Sequence, residues 1–273
     1  MSPADFFLDE TGKALRLSVL DALQEGGRGH LGPAFSIIDI VRVLYGDVMT
    51  HDSVRPNYNL RDRFILSKGH GCLALYAVLS HHGYFPQEVL STFCKYDSPL
   101  GGHPESATTP GVEFSTGSLG HGLSVAVGIA LAARIRGEFW RTFVLLGDGE
   151  INEGSVWEAA LHAAKHKLAS LCVIIDYNKM QASGNSAEVL DLNPLAEKWK
   201  SFGFEVCEID GHDLGQIRGA LSLDNSTGSP RLVIAHTTKG KGIPSIENSS
   251  EWHHKAKIQA SEIELLANEL MDQ

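Results

Sequence analysis

Five runs rich in β-branched and apolar residues, "RFILS", "TFVLLGD", "LCVIIDYN", "FEVCEIDG" and "RLVIAHT", alternate with longer stretches of helical period. Strands covered on both faces read as continuous apolar runs, and strands separated by helix-length segments pair in parallel. The sequence therefore predicts a single α/β domain over 1–273, with an open, mostly parallel sheet and helices on both faces. "LALYAVLSHHG" and "SVAVGIALAARIRG" each end on a glycine suited to a helix C-cap, and "GSVWEAALHAAKHKL" predicts an alanine-rich helix over 154–168. The polar patch Leu223–Pro230 is short enough to be an ordinary loop. Near the end, Ile263, Leu266 and Leu270 share one face, which suits a closing helix or a partner contact.

Composition narrows the function. With 43% hydrophobic residues in 273, the chain can bury a substantial core. Its net charge of -10 lacks the basic footprint that nucleic acid requires, so an anionic ligand must find positive charge locally. The acidic start "MSPADFFLDE" has no signal-peptide pattern, and no apolar run approaches the ~18 residues of a membrane helix. A cytoplasmic protein is expected. Cys72, Cys94, Cys172 and Cys207 are irregularly spaced with no C-x-x-C pair, which reads as reduced packing cysteines.

In open parallel sheets, ligands sit beyond the carboxyl ends of the strands. Here those positions are polar: "SKGHG", "GDGEINEG", "DYNKMQASG" and "HTTKGKGI". Asp148 follows one strand, and Asn178 ends the next, thirty positions later. A βαβ unit of that length brings the two strand ends together. Asp148, Asn178 and the main-chain carbonyl of Met180 form a set of hard oxygen ligands suited to magnesium, leaving room for phosphate oxygens. Gly147 and Gly149 would let the backbone approach those phosphates. The carboxylate then holds the cation, and the cation meets the anion. No G-x-x-x-x-G-K-[ST] loop is present, since "TTKGKG" lacks that spacing, which argues against a nucleotide site.

Gly-Asp-Gly followed by that asparagine resembles the thiamine diphosphate fingerprint. "RGHLGPAFSIIDIVRVLYG", "SKGHGCLALYAVLSHHGYF", "GGHPE", "STGSLGHGLSVAVGIALAAR", "HTTKGKGI" and "EWHH" follow in order over about Gly27 to His254. Together they resemble the N-terminal, diphosphate-binding half of transketolase. The resemblance implies a thiamine diphosphate-binding fold, thiamine diphosphate and Mg2+ as cofactors, and transfer of a two-carbon ketol unit from a ketose phosphate to an aldose.

His30, His70, His103 and His253 sit in or beside polar, mostly glycine-rich loops, and converging imidazoles suit proton transfer to sugar hydroxyls. By resemblance, His70 and His253 lie near the diphosphate and the reactive carbon, and His30 and His103 contact donor hydroxyls. His254 is the less expected of its pair, and His81, His82, His162, His166 and His212 read as ordinary. The loop Ser115–Gly122 opens a helix whose amides could face an anion, or is a tight turn with a serine cap. The resemblance instead brings Gly117 to the aminopyrimidine and Leu119 to the thiazolium. Ser118 and His121 stand where transketolases commonly have Pro and Gln; Ala182 replaces an isoleucine, and Ser183 an acid. Glu153 and Glu158 either complement a helix dipole or, by resemblance, meet at a subunit interface linking paired cofactor sites.

A transketolase also needs a glutamate and aromatic residues around the aminopyrimidine, which belong to the family's second domain. The sequence leaves no room for that domain after its last motif. The expectation is a split enzyme: a separate C-terminal subunit carries the pyrimidine-binding domain, two copies of each chain assemble, and sugar phosphates are the substrates. The alternatives are half of a deoxyxylulose phosphate synthase, the α chain of a 2-oxo acid dehydrogenase, or a non-catalytic cofactor-binding scaffold. "SKGHG" and "GGHPE" favour transketolase over the other enzymes.

Overall fold

Val, Ile, Leu and Phe dominate the strands β1 (Arg63–Leu66), β2 (Thr142–Gly147) and β3 (Leu171–Tyr177), and nearly every one of their residues is buried. Such strands have no solvent face and must lie inside a covered sheet. The computed structural model, which describes residues 8–181, 183–222 and 228–273, shows this. A short hairpin, β4 (Met180–Gln181) with β5 (Gly184–Asn185), follows β3. β6 (Glu205–Asp210) and β7 (Arg231–His236) complete a five-stranded, all-parallel sheet of order β1-β2-β3-β7-β6. β6 is only half-buried, as an edge strand should be.

The strand period of two divides the core. Phe64, Leu66, Phe143, Leu145, Ile174 and Val233 point to one face. There they meet α1 (Glu10–Gly26), α2 (Leu31–Val43) and α3 (Cys72–His81). Ile65, Val144, Leu146, Val173 and Ile234 point to the other, covered by α4 (Gly122–Arg136) and α5 (Gly154–Lys165). Two small helices, α6 (Ser186–Val189) and α7 (Leu195–Phe202), follow, and α7 adds Trp199 to that second core. α8 (Leu214–Ser222) and α9 (Ala260–Met271) join the first. Helices therefore lie on both faces, as the alternating pattern requires. The tail's apolar stripe closes the fold, with Ile263, Leu266 and Leu270 buried in it.

Local signals explain the helix ends. Asp9 caps α1 by accepting from Gly12 N at 2.7 Å, and Gly27 ends it at φ 66°, where a side chain would be strained. α2 is apolar almost all round and buried throughout its length save for one position. Its single acid, Asp39, is matched by Arg16 of α1 in a two-point pair at 2.8 and 3.0 Å and by His212 at 2.9 Å. Ala182 and residues 223–227 of the polar loop lie outside the described residues. Among the described residues, no helix is long and apolar enough to cross a membrane. All four cysteines are free, and burial pushes the Cys172 thiol up to about 12.

α4 meets the end of β1 so closely that a Cβ on Gly122 would lie 2.4 Å from Ser67 Cβ and 2.9 Å from its Cα. Backbone and a hydrogen-bonded serine cannot both withdraw. Gly122→Ala should therefore destabilise the chain by about 1–3 kcal/mol, read as a lower urea midpoint at unchanged slope.

Candidate active site

The parallel register levels the strand ends. Gly147 of β2 lies beside Asp176 of β3, so Asp148 and Asn178 emerge together at the carboxyl edge. β7 brings Thr237 to Lys239 to the same edge, and β1 brings Ser67 and Lys68. Between them is a cavity of about 350 Å³, within the size range of cofactor pockets. Its walls include Gly147, Asp148, Gly149, Asn178 and Met180, together with Gly117 and Leu119. A Cβ on Gly147 would make only ordinary contacts, so protein packing does not require glycine there, and its backbone faces the cavity. At Gly149, by contrast, a Cβ would fall 2.8 Å from Gln181 Cγ.

Asp148 is 2% exposed and accepts from Gly149 N at 2.8 Å and Ser186 Oγ at 2.9 Å. Burial, reinforced by nearby Asp176, pushes its carboxyl up to about 6. Asn178 is oriented from behind: its Nδ2 donates to Asp176 Oδ2 at 2.8 Å and its Oδ1 accepts from Met180 N at 3.0 Å. The Met180 carbonyl accepts from Lys239 Nζ at 2.8 Å. Each of these oxygens retains lone pairs for a cation. Among the described residues, no three His, Cys, Asp or Glu side chains gather as a metal site. The donor set here is one carboxylate, one amide and one carbonyl, which suits a hard, partly hydrated dication rather than zinc. A dication would also offset the buried charge of Asp148.

The anion side is equally legible. Lys239 is 1% exposed and forms no ion pair among the described residues, donating instead to the Met180 carbonyl and meeting His253 Nδ1 at 2.8 Å. Desolvation, helped by the Lys68 charge, pulls its ammonium down to about 8. Gln181 Nε2 is buried without a hydrogen-bond partner among the described residues, while its side chain lines the cavity. A buried donor left open in this way fits a ligand rich in acceptor oxygens.

The histidines do converge. His30 is the hub, with ring centroids 5.5 Å from His70, 6.0 Å from His253 and 6.2 Å from His103. Burial, then the neighbouring imidazoles and Lys68, pulls His30 down to about 3. Burial and Lys239 pull His253 to about 4, and burial with Lys68 holds His70 well below its ordinary value. All three are neutral at pH 7 and can each donate and accept. His30, His70 and His253 line the cavity, while His103 borders an adjoining depression with Gly117.

Several residues escaped the sequence reading. Lys68 forms a buried ion pair with Asp176, whose other oxygen accepts from Ser36 and Thr237. Burial alone would raise the Asp176 carboxyl, but Lys68 and these hydroxyls outweigh it and hold it below its ordinary value. Glu150, inside the glycine-rich stretch, forms no ion pair among the described residues. It accepts from Gly120 N at 2.9 Å, Gly147 N at 3.0 Å and Ser67 Oγ, stapling three loops. Gly122 N in turn donates to Ser67 Oγ at 3.1 Å, so the amides of Gly120 and Gly122 are not open to an anion. Nor does a serine of the loop itself cap this helix; its N-cap is His121, without a side-chain capping bond. Glu153 and Glu158 are exposed on the first turns of α5, away from the cavity lining. "SKGHG" and "HTTKGKGI" already placed Lys68 and Lys239 after strands, which was the available signal.

A profile of the family "Transketolase, thiamine diphosphate binding domain" matches residues 9–271. The chain belongs to the transketolase family. It is 45% identical over 268 residues to an apulose-4-phosphate transketolase subunit of Actinobacillus succinogenes, covering 97% of this chain and 96% of that one. It is 38% identical to a 6-deoxy-6-sulfo-D-fructose transketolase subunit of a Clostridium species, covering 93% of each. The transketolase structure from Campylobacter jejuni superposes with a TM-score of 0.87 at 33% identity over 95% of this chain. This chain spans only 42% of that one, so it corresponds to part of a full-length transketolase. The fold is thus the α/β fold of thiamine diphosphate-binding domains.

Proposed function

We propose that this chain is the diphosphate- and metal-binding subunit of a two-chain cytoplasmic transketolase, passing a two-carbon ketol unit from a ketose phosphate to an aldose. The carrying observation is the joint placement of Asp148, Asn178 and the Met180 carbonyl with two buried lysines at one cavity. Asp148, Asn178 and Met180 would hold Mg2+, and Lys239 and Gln181 would face the diphosphate. Gly117 and Leu119 would flank the cofactor rings, while Glu153 contributes from the exposed start of α5 toward a neighbouring subunit. Bound thiamine diphosphate supplies the carbon nucleophile and electron sink that ketol transfer requires. Neutral His70 and His253 would exchange protons near the reacting carbon, and His30 and His103 would hold donor hydroxyls.

Residues 1–273 act as one cofactor-binding domain. The pyrimidine-binding domain belongs to a separate C-terminal subunit in an assembly of two copies of each chain. Three relatives of similar span are named as transketolase subunits, which supports a partner. Their transketolase names favour ketol transfer over the decarboxylating alternatives and over a scaffold. The test is to co-purify the chain with its partner, add Mg2+ and thiamine diphosphate, and assay a panel of ketose phosphates and aldoses. Ketol transfer without carbon dioxide release is expected. Stoichiometric carbon dioxide release, or no transfer from any donor, would overturn the proposal.

A further inference from the structure

The ring nearest His30 is not one of the three above but His254, with centroids 4.6 Å apart and planes tilted by 47°. The backbone enforces this contact. Gly29 and Lys255 form an isolated antiparallel bridge, exchanging hydrogen bonds at 3.0 Å (Gly29 N to Lys255 O) and 2.9 Å (Lys255 N to Gly29 O). In an antiparallel ladder, the pair next to a hydrogen-bonded one stands opposite without hydrogen bonds, with its side chains drawn close. That next pair is His30 and His254. Two more bonds, Gly32 N to Trp252 O at 2.9 Å and Ile258 N to Gly27 O at 3.0 Å, tie the two segments together on either side of the bridge. Lys255 anchors the strap further, its ammonium lying 4.2 Å from the Trp252 ring centroid and pairing with Glu251 and Glu262.

His254 is exposed, and neither its ring nor that of His30 has a hydrogen-bond partner among the described residues. His30 lines the cofactor cavity and His254 does not, so His254 stands on the outward side of His30. A substrate reaching inward to the cofactor meets His254 at the part farther from the reacting carbon. We propose that His254 is a donor-binding residue, pairing with His30 to hold hydroxyls that the ketose carries beyond the bond that is cleaved. This rests on the transketolase reading above.

The test uses the reconstituted two-chain enzyme with His254→Ala and His254→Gln. Two donors are compared: a ketose phosphate, which has hydroxyls beyond the cleaved bond, and 3-hydroxypyruvate, which has only a carboxylate there, lost as carbon dioxide. Losing one neutral hydrogen bond should lower kcat/KM for the ketose phosphate about five- to tenfold relative to that for 3-hydroxypyruvate, mainly through KM. The glutamine variant, which keeps a donor and an acceptor, should recover part of that ratio, and cofactor affinity measured by calorimetry should not change. An unchanged ratio, or an equal loss with both donors, would overturn the role of His254. A wild-type assembly that transfers from neither donor would overturn the transketolase reading itself, and His254's role with it.

Discussion

Asp148→Ala should lower the magnesium-dependent affinity of the reconstituted complex for thiamine diphosphate by about a hundredfold or more. Outer-shell partners of a metal typically contribute about 10–100-fold, and the one carboxylate among the three proposed oxygen ligands should contribute no less. The fold should survive the change. With its carboxyl raised to about 6, Asp148 favours the metal-free fold only while protonated. That contribution is present below the ordinary carboxyl range and is lost as pH rises through about 6, so near pH 8 an alanine removes a buried, poorly compensated charge. The metal-free variant should therefore match or exceed the wild type in Tm at pH 8, although Ser186 loses its acceptor. Unchanged magnesium-dependent affinity by calorimetry would end the metal assignment.

Lys68→Met should lower the stability of the chain by about 3–5 kcal/mol, because it strands a buried carboxylate without its counter-charge. Asp176 is 0% exposed and Lys68 1%, and they pair directly. Without the ammonium, the Asp176 carboxylate keeps, among the described residues, the hydroxyls of Ser36 and Thr237 and the amide of Asn178. Since Asp176 fixes which way the Asn178 amide points, cofactor affinity should fall as well. The double variant Lys68→Met/Asp176→Asn carries no buried charge and should recover more than half of the lost stability. Urea unfolding of the three proteins decides the matter: equal midpoints for Lys68→Met and wild type would show that the pair is not what holds this end of the sheet.

The strands could be read from the chain because a buried parallel strand has few alternatives to a continuous apolar run; the five runs appear as β1, β2, β3, β7 and the half-buried edge strand β6, which mixes in acids. The predicted helix over 154–168 stops at Lys165, where His166 takes the C-cap and Lys167 adopts a positive φ of 46°. Its alanines continue the helical pattern only as far as the turn that must feed β3. The loop before α4 carries no such periodic signal. Its glycines looked equally like an anion nest or a serine-capped turn, and what occupies its amides is Glu150 and Ser67, remote in sequence.

His254 shows the same divide. Sequence context set it behind His253, because adjacency says nothing about which ring meets His30; the bridge between Gly29 and Lys255 settled that. By itself the sequence determined the period of each element, and hence the layered α/β architecture and the strand ends at which Asp148, Asn178, Lys68 and Lys239 appear. Only the tertiary structure decided which buried charge neutralises which, pairing Lys68 with Asp176 and leaving Lys239 outside any ion pair among the described residues. Periodicity is a property of neighbours along the chain. Charge compensation depends on distances across it, where burial strengthens every interaction and makes each missing partner costly.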